Sequence, residues 1–148
     1  MFIGHFAVAF AAKRAAPTVS LGTWFLACEL IDLTWPLFIL LGVEAVAITP
    51  GITAFTPLDF TYYPWTHSLL MCAVWALAMA GVYWLVGRNR VAAALVGVVV
   101  LSHWFLDAIV HRPDLPIAPG SDVKIGLGLW HSVPATLVLE GAMLAGAI

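Results

Sequence analysis

The sequence predicts an all-α protein: a polytopic transmembrane bundle of about four to five helices, forming a single integral-membrane domain over residues 1–148. Of the 148 residues, 63% are hydrophobic and only 9% are charged, whereas soluble domains are about 45–50% apolar and about 25% charged. The mean hydropathy of +1.02 agrees with that composition. The apolar residues also lie in long runs, and about 20 such residues make one helix that crosses a bilayer.

The first three apolar segments can be placed from their flanking residues. Residues 2–12 form a short run that ends before Lys13, so this segment crosses the bilayer only in part or packs inside the bundle. Residues 20–43 are long enough to cross, and Pro36 predicts a kink there. Residues 64–87 begin with a proline, where the missing N–H costs nothing.

Two further segments complete the predicted bundle. Residues 91–111 are stopped by Pro113, and residues 125–148 stay apolar to the end of the chain. That abrupt apolar end leads us to expect that the natural protein continues further. The stretches at 44–64 and 112–124 are rich in proline and other turn residues, so we predict loops there.

The basic residues predict the orientation. Lys13 and Arg14 follow the first segment, Arg88 and Arg90 separate the third from the fourth, and the loop at 44–64 has neither lysine nor arginine. Cytoplasmic loops carry the excess of basic residues. The first and third loops are therefore expected in the cytoplasm, and the other two on the outer side.

The ionisable residues within the segments fall in one region of that topology. Glu29 and Asp32 lie near mid-depth on the second segment, and every histidine lies in the middle-to-outer part of the bundle. Ionisable residues within spans usually face the interior, pair with one another and mark function. The histidines are His5, His67, His103, His111 and His131.

The spacing of these residues favours metal binding. His103 and Asp107 are four residues apart, so both side chains project from one helix face, and Glu29 and Asp32 have a similar spacing. His111 is about 12 Å beyond His103 along the helix, so Asp107 could bridge two ions, one towards each histidine. Mixed imidazole and carboxylate ligands suit Zn, Mn or Fe(II). The sequence therefore predicts one or two divalent ions of these types.

Each candidate also has a simpler interpretation. A single histidine in a membrane helix commonly forms an interhelical hydrogen bond, and His111 can be a solvated helix exit rather than a ligand to a second ion. Glu29 is a ligand or a general base, and His131 has a supporting or structural role if it binds no metal. The favoured ligands are His5, Asp32, His67, His103 and Asp107.

Four short motifs occur in order within about the first 110 residues: Gly4-His5, Glu29-x-x-Asp32, Thr66-His67-Ser68 and His103-x-x-x-Asp107. In these motifs the chain resembles the bacterial membrane-bound metal-dependent hydrolases, a family that includes a LexA-regulated inner-membrane protein. Many relatives have His-Arg-Gly ahead of Thr-His-Ser, whereas this chain has Tyr63-Pro64-Trp65, and Glu29 replaces one aspartate of a paired motif.

The resemblance implies a metal-dependent hydrolase in the bacterial inner membrane. In such an enzyme the catalytic residues would be Glu29 and Asp32, either of which could serve as ligand or general base. A site that opens near the outer leaflet suggests a lipid or other amphiphilic substrate. The alternative is a membrane protein that translocates protons or metal ions through the same cluster. A third possibility is an inactive scaffold held together by these polar residues. No basic cluster is long enough to bind nucleic acid. The substrate and the oligomeric state are left open.

Overall fold

The computed structural model describes residues 1–148 and is mostly helical. Three helices are long and apolar enough to cross a membrane, namely α2, α4 and α5. This is fewer than the four to five spans expected, because α1 and α6 have only 13 and 15 residues. The helices are α1 (Ile3–Ala15), α2 (Leu21–Leu40), α3 (Pro64–His67), α4 (Leu69–Gly87), α5 (Arg90–Val110) and α6 (Val133–Ala147).

The all-α prediction agrees roughly with the mostly helical fold, which also contains two small sheets. Within the first predicted loop, β1 (Ala45–Ile48) pairs antiparallel with β2 (Leu58–Tyr62). Within the second, β3 (Leu115–Pro116) pairs antiparallel with β4 (Lys124–Ile125). Proline and turn residues dominate both loops, so the sequence there has no strand pattern. The backbone groups of these short strands find hydrogen-bond partners only when the loop folds back on itself.

Side-chain caps explain where three of the helices begin. Ser68 has an extended backbone, and its hydroxyl accepts a hydrogen bond from the N–H of Met71. The third predicted segment is thereby divided into the single turn α3 and the long helix α4. Ser132 caps α6 in the same way, so only the later part of the fifth segment is α-helical. Asn89 caps α5 through the N–H of Ala92.

α5 is the central helix, since it packs against α1, α2 and α4. Its approach to α4 is close because Gly97 has no side chain: a Cβ there would lie 3.2 Å from both the carbonyl oxygen of Ala76 and the Cβ of Ala80. α1 packs against α2 and α6. The carboxyl-terminal end of α5 is therefore surrounded by neighbouring elements, and the polar cluster lies there.

Candidate metal centre

The cluster is assembled from four elements around the end of α5. His103 and Asp107 lie one turn apart on this helix and are 0% and 2% exposed. His5 reaches them from the first turns of α1, and His67 from the end of α3. Asp32 contributes from the middle of α2 and is the half-exposed member of the group. Four stretches of chain distant in sequence thus supply one site.

The carboxylate of Asp107 is the centre of the cluster. Its Oδ1 atom lies 3.2 Å from Nε2 of His5. Its Oδ2 atom lies 3.2 Å from Nε2 of His103, and 3.9 Å from Nε2 of both His67 and His111. His103 and His111 therefore face the same carboxylate oxygen, whereas the spacing along α5 predicted that Asp107 could bridge two ions, one towards each histidine. The oxygen on the other side faces His5.

A second carboxylate completes the set. Oδ1 of Asp32 lies 3.1 Å from Nε2 of His67 and 3.4 Å from Nε2 of His103. The potential ligand atoms form two groups, each with all members within 4.8 Å of one another: His5, His103 and Asp107 in one, and Asp32, His67 and His103 in the other. His103 belongs to both groups and stands between the two carboxylates.

The Nδ1 atoms of His103 and His111 lie against oxygen acceptors. Nδ1 of His103 is 2.9 Å from the carbonyl oxygen of Cys28, which can only accept, so this nitrogen carries the proton. Nδ1 of His111 is 3.1 Å from Oδ1 of Asp114, which also accepts a hydrogen bond from the Tyr63 hydroxyl. In a neutral ring, a proton on Nδ1 leaves the lone pair on Nε2. Both lone pairs then face Asp107.

His67 is held by a longer chain of hydrogen bonds. Its Nδ1 atom is 2.7 Å from the hydroxyl of Thr66, and that hydroxyl is 2.7 Å from Oε2 of Glu44. Oε1 of the same glutamate accepts the backbone N–H groups of Trp65 and Thr66. Glu44 is 4% exposed. It thus holds both the turn that carries His67 and, through the hydroxyl, the imidazole ring.

Two of the ring nitrogens have no hydrogen-bond partner. Nε2 of His5 and Nε2 of His103 are buried, and the nearby carboxylate oxygens do not complete hydrogen bonds with them. The two rings are stacked, with centroids 3.8 Å apart and planes 2° from parallel. Buried polar atoms without partners are costly in proteins. Unpaired imidazole nitrogens beside carboxylates are the donor set of a divalent metal site, so these residues fit such an ion.

A buried glutamate on α6 holds the first turn of α1. The carboxylate of Glu140 accepts the backbone N–H groups of Phe2, Ile3 and Gly4 at 2.5–3.2 Å. The amino group of Met1 forms an ion pair with Oδ1 of Asp107. The first N–H groups of α1 have no partner within the helix, and Glu140 on α6 accepts them. This contact holds the start of α1, and with it His5, at the cluster.

Asp114 and Tyr63 support His111 from outside the apolar helices. Burial by itself would raise the pKa of Asp114. Hydrogen bonds from His111, Arg112 and Tyr63 nevertheless hold it below the usual 3.8, so the carboxylate stays charged. Burial, followed by the nearby charge of Asp114, raises the pKa of Tyr63 far above its ordinary value, so its hydroxyl keeps the proton that it donates.

A cavity of about 450 Å³ adjoins the cluster. Five ionisable side chains line its polar part, and aromatic and aliphatic side chains form most of the rest. The polar lining consists of Glu29, Asp32, His67, Asp107 and His111. The apolar lining includes Phe2, Phe6, Trp35, Phe55, Leu58, Phe60 and Trp130. The cavity therefore presents an ionisable surface and an apolar surface to one ligand.

The structure brings together His5, Asp32, His67, His103 and Asp107, which the sequence indicated as ligands. His111 joins them and is 2% exposed, so it is not a solvated helix exit. Glu29 lines the cavity but belongs to neither ligand group, and its recorded side-chain contact is with the Cys28 thiol at 3.8 Å. His131 lies exposed on a 3₁₀ turn at Leu129–His131, away from the cluster.

Sequence reasoning overlooked two supporting acids, Glu44 and Glu140. A signal existed for Glu140, because it is an acidic residue inside the last apolar segment and an unpaired acid there would be costly. No comparable signal marks Glu44, which is the first residue of a stretch interpreted as a loop.

We compared the chain with protein-family models, with curated proteins and with solved structures, and none of them matches it.

Proposed function

We propose that the protein is a membrane-embedded metal-dependent hydrolase whose His/Asp/Glu site lies in the outer half of its helical bundle. One observation carries this proposal: the Nε2 atoms of His67, His103 and His111 converge on the carboxylates of Asp32 and Asp107. Such residues within apolar segments usually mark a functional site. The four motifs in which the chain resembles membrane-bound metal-dependent hydrolases favour the same activity.

Two divalent ions, of Zn, Mn or Fe(II), can be accommodated by the donor set. His5, His103 and Asp107 would hold one ion, and Asp32 with His67 would hold the second. Asp107 is suited to serve both because Oδ1 lies 3.2 Å from Nε2 of His5 and Oδ2 lies 3.9 Å from Nε2 of His67. A bound metal of this kind polarises the scissile group and lowers the pKa of a coordinated water to about 7.

The protein's own residues would supply proton transfer and substrate binding. Glu29 and Asp32 both line the cavity, so either carboxylate can accept a proton from an attacking water or orient it. The aromatic lining would bind the apolar part of a substrate and exclude bulk water. An amphiphilic ester, phosphoester or amide, such as a lipid, matches a cavity with these two surfaces.

The proposed location is the bacterial inner membrane, with the site towards the extracytoplasmic side. Three helices of suitable length and hydropathy support a membrane location. The basic pairs near the ends of α1 and α4 favour a cytoplasmic position for those ends. The cluster lies at the opposite ends of these helices, near the two small sheets.

An ion translocator would use the same cluster but would need a polar path to the other side. α4 has no acidic, basic or histidine side chain between Leu69 and Gly87, and α5 has none between Arg90 and His103. This asymmetry favours a site that opens to one side. Metal-dependent proton flux in proteoliposomes would instead support translocation.

Metal content provides the primary test of the proposal. We expect the protein purified in detergent to contain a divalent metal by elemental analysis, and His103→Ala and Asp107→Ala to lose most of it. His131→Ala is the matched control, because this histidine is exposed and outside the cluster. If both cluster variants lose less than about a tenth of the metal, the proposal fails.

A further inference from the structure

The site histidine on α3 is joined to a buried acid that contacts neither carboxylate of the cluster. Glu44 precedes β1, is 4% exposed, and lies two hydrogen bonds away from the His67 ring. A buried carboxylate needs partners that justify its desolvation. This one has three, all of them on Trp65 and Thr66.

The chemistry of these groups determines the direction of each hydrogen bond. An ionised carboxylate can only accept, so the hydroxyl of Thr66 donates its proton to Oε2 of Glu44 at 2.7 Å. That hydroxyl has no second proton, so it must accept from Nδ1 of His67, also at 2.7 Å. The ring therefore carries a proton on Nδ1, and Nε2 is the nitrogen left to bind an ion. Without an ion, Nε2 can donate to Oδ1 of Asp32, 3.1 Å away.

We propose that Glu44, acting through the hydroxyl of Thr66, is a positioning residue that fixes His67 in the tautomer able to bind metal. The inference rests on the proposed metal-dependent function. Neither Glu44 nor Thr66 belongs to the two groups of potential ligand atoms. Partners of this kind usually strengthen metal affinity about 10- to 100-fold.

The variant Glu44→Gln separates tautomer control from folding. The amide oxygen can still accept the N–H groups of Trp65 and Thr66, so the turn stays capped. The amide nitrogen replaces Oε2 and donates to the Thr66 hydroxyl, which then donates to Nδ1 of His67. The imidazole proton moves to Nε2, where it faces Asp32 and blocks the lone pair.

The test is ¹⁵N NMR of the full-length, metal-free protein labelled at histidine. We expect protonated Nδ1 in the wild type and in Thr66→Ser, and protonated Nε2 in Glu44→Gln. The His67 signals are assigned by their loss in His67→Gln. A wild-type ring without a proton on Nδ1, or a ring that keeps the proton on Nδ1 in Glu44→Gln, would overturn the inference.

Zinc titration of the same samples links the tautomer to metal binding. We expect Glu44→Gln and Thr66→Val to bind Zn²⁺ about 10- to 100-fold more weakly than the wild type, and Thr66→Ser to retain affinity. Thr61→Val is the matched control because Thr61 is exposed and bonds only to the backbone of Ala45. Unchanged affinity in both weakened variants refutes the positioning role. A wild type that binds no Zn²⁺, Mn²⁺ or Fe²⁺ refutes the proposed function but leaves the NMR result interpretable.

Discussion

Individual residues at this site matter for the atom that each presents as much as for their chemical type. His103 and His111 both have an acceptor at Nδ1, and both direct Nε2 towards Asp107. An imidazole with the opposite tautomer would occupy the same volume and bind no metal. The groups that select the nitrogen are a carbonyl oxygen of α2 and the carboxylate of Asp114. The spacing of His103, Asp107 and His111 in the sequence does not reveal this carbonyl oxygen or the role of Asp114.

Asp114 provides a pH-dependent test at this scale. Its folded-state pKa lies below 3.8, so its stabilising contribution is complete above that value and disappears as the pH falls below it. We expect Asp114→Asn to lower the free energy of unfolding by about 1–3 kcal/mol at pH 7. The difference from the wild type should shrink as the pH falls below 3.8. Thermal unfolding in detergent at several pH values measures both effects.

The control for that experiment is Asp122→Asn, because Asp122 is exposed in the neighbouring loop. It should follow the wild-type curve throughout. A constant gap between Asp114→Asn and wild type down to pH 3 would show that the hydrogen bonds to Asp114 do not depend on its charge.

Among the elements, two short helical starts are held by acids from elsewhere in the chain. Glu140 on α6 accepts the N–H groups just before His5, and Glu44 accepts those just before His67. In each case a carboxylate at a helix N-terminus satisfies donors that have no intrahelical partner. The same acid thereby fixes the position of the histidine that follows.

Removing the carboxylate on α6 should release α1. In Glu140→Ala the N–H groups of residues 2–4 lose their acceptor, and each buried unsatisfied group costs about 1–3 kcal/mol. We expect faster amide hydrogen exchange at residues 2–8, measured by mass spectrometry, and a loss of metal at the His5 side of the cluster. Glu140→Gln, which keeps one acceptor oxygen, should be affected less. Unchanged exchange at residues 2–8 in Glu140→Ala would contradict the capping role.

The helices were easier to predict than the segments between them. Long apolar runs predicted α2, α4 and α5, and the i, i+4 spacing put His103 and Asp107 on one face of α5. The sheet of β1 and β2 was missed because its strands are only four and five residues long, with nine residues between them. Their pairing, and the burial of Glu44 beside it, depend on contacts that no local pattern records.

The whole molecule has its polar cluster at one end and most of its basic residues at the other. Lys13, Arg14, Arg88 and Arg90 are four of the six basic residues. They lie in the last turn of α1, at the end of α4 and at the start of α5. Under the positive-inside rule this distribution orients all of the helices together.

Cysteine labelling tests that orientation. In a background lacking Cys28 and Cys72, we expect Asp122→Cys to react with a membrane-impermeant thiol reagent in intact cells. Thr18→Cys should react only after the membrane is opened. Both positions are exposed in the fold, so a difference between them reports the side of the membrane. The reverse pattern would put the cluster on the cytoplasmic side.

Pro36 lies one turn beyond Asp32 on α2, within the wall of the cavity. In a regular helix the N–H of residue 36 would bond to the carbonyl oxygen of residue 32, and proline has no N–H to offer. The helix therefore lacks one backbone hydrogen bond directly after Asp32, one of the candidate metal ligands. Residues 32 and 36 have no backbone hydrogen bond between them, so a bend of the helix at this point breaks none. The part of the cavity wall at Pro36 is therefore not tied to the Asp32 turn by that backbone hydrogen bond.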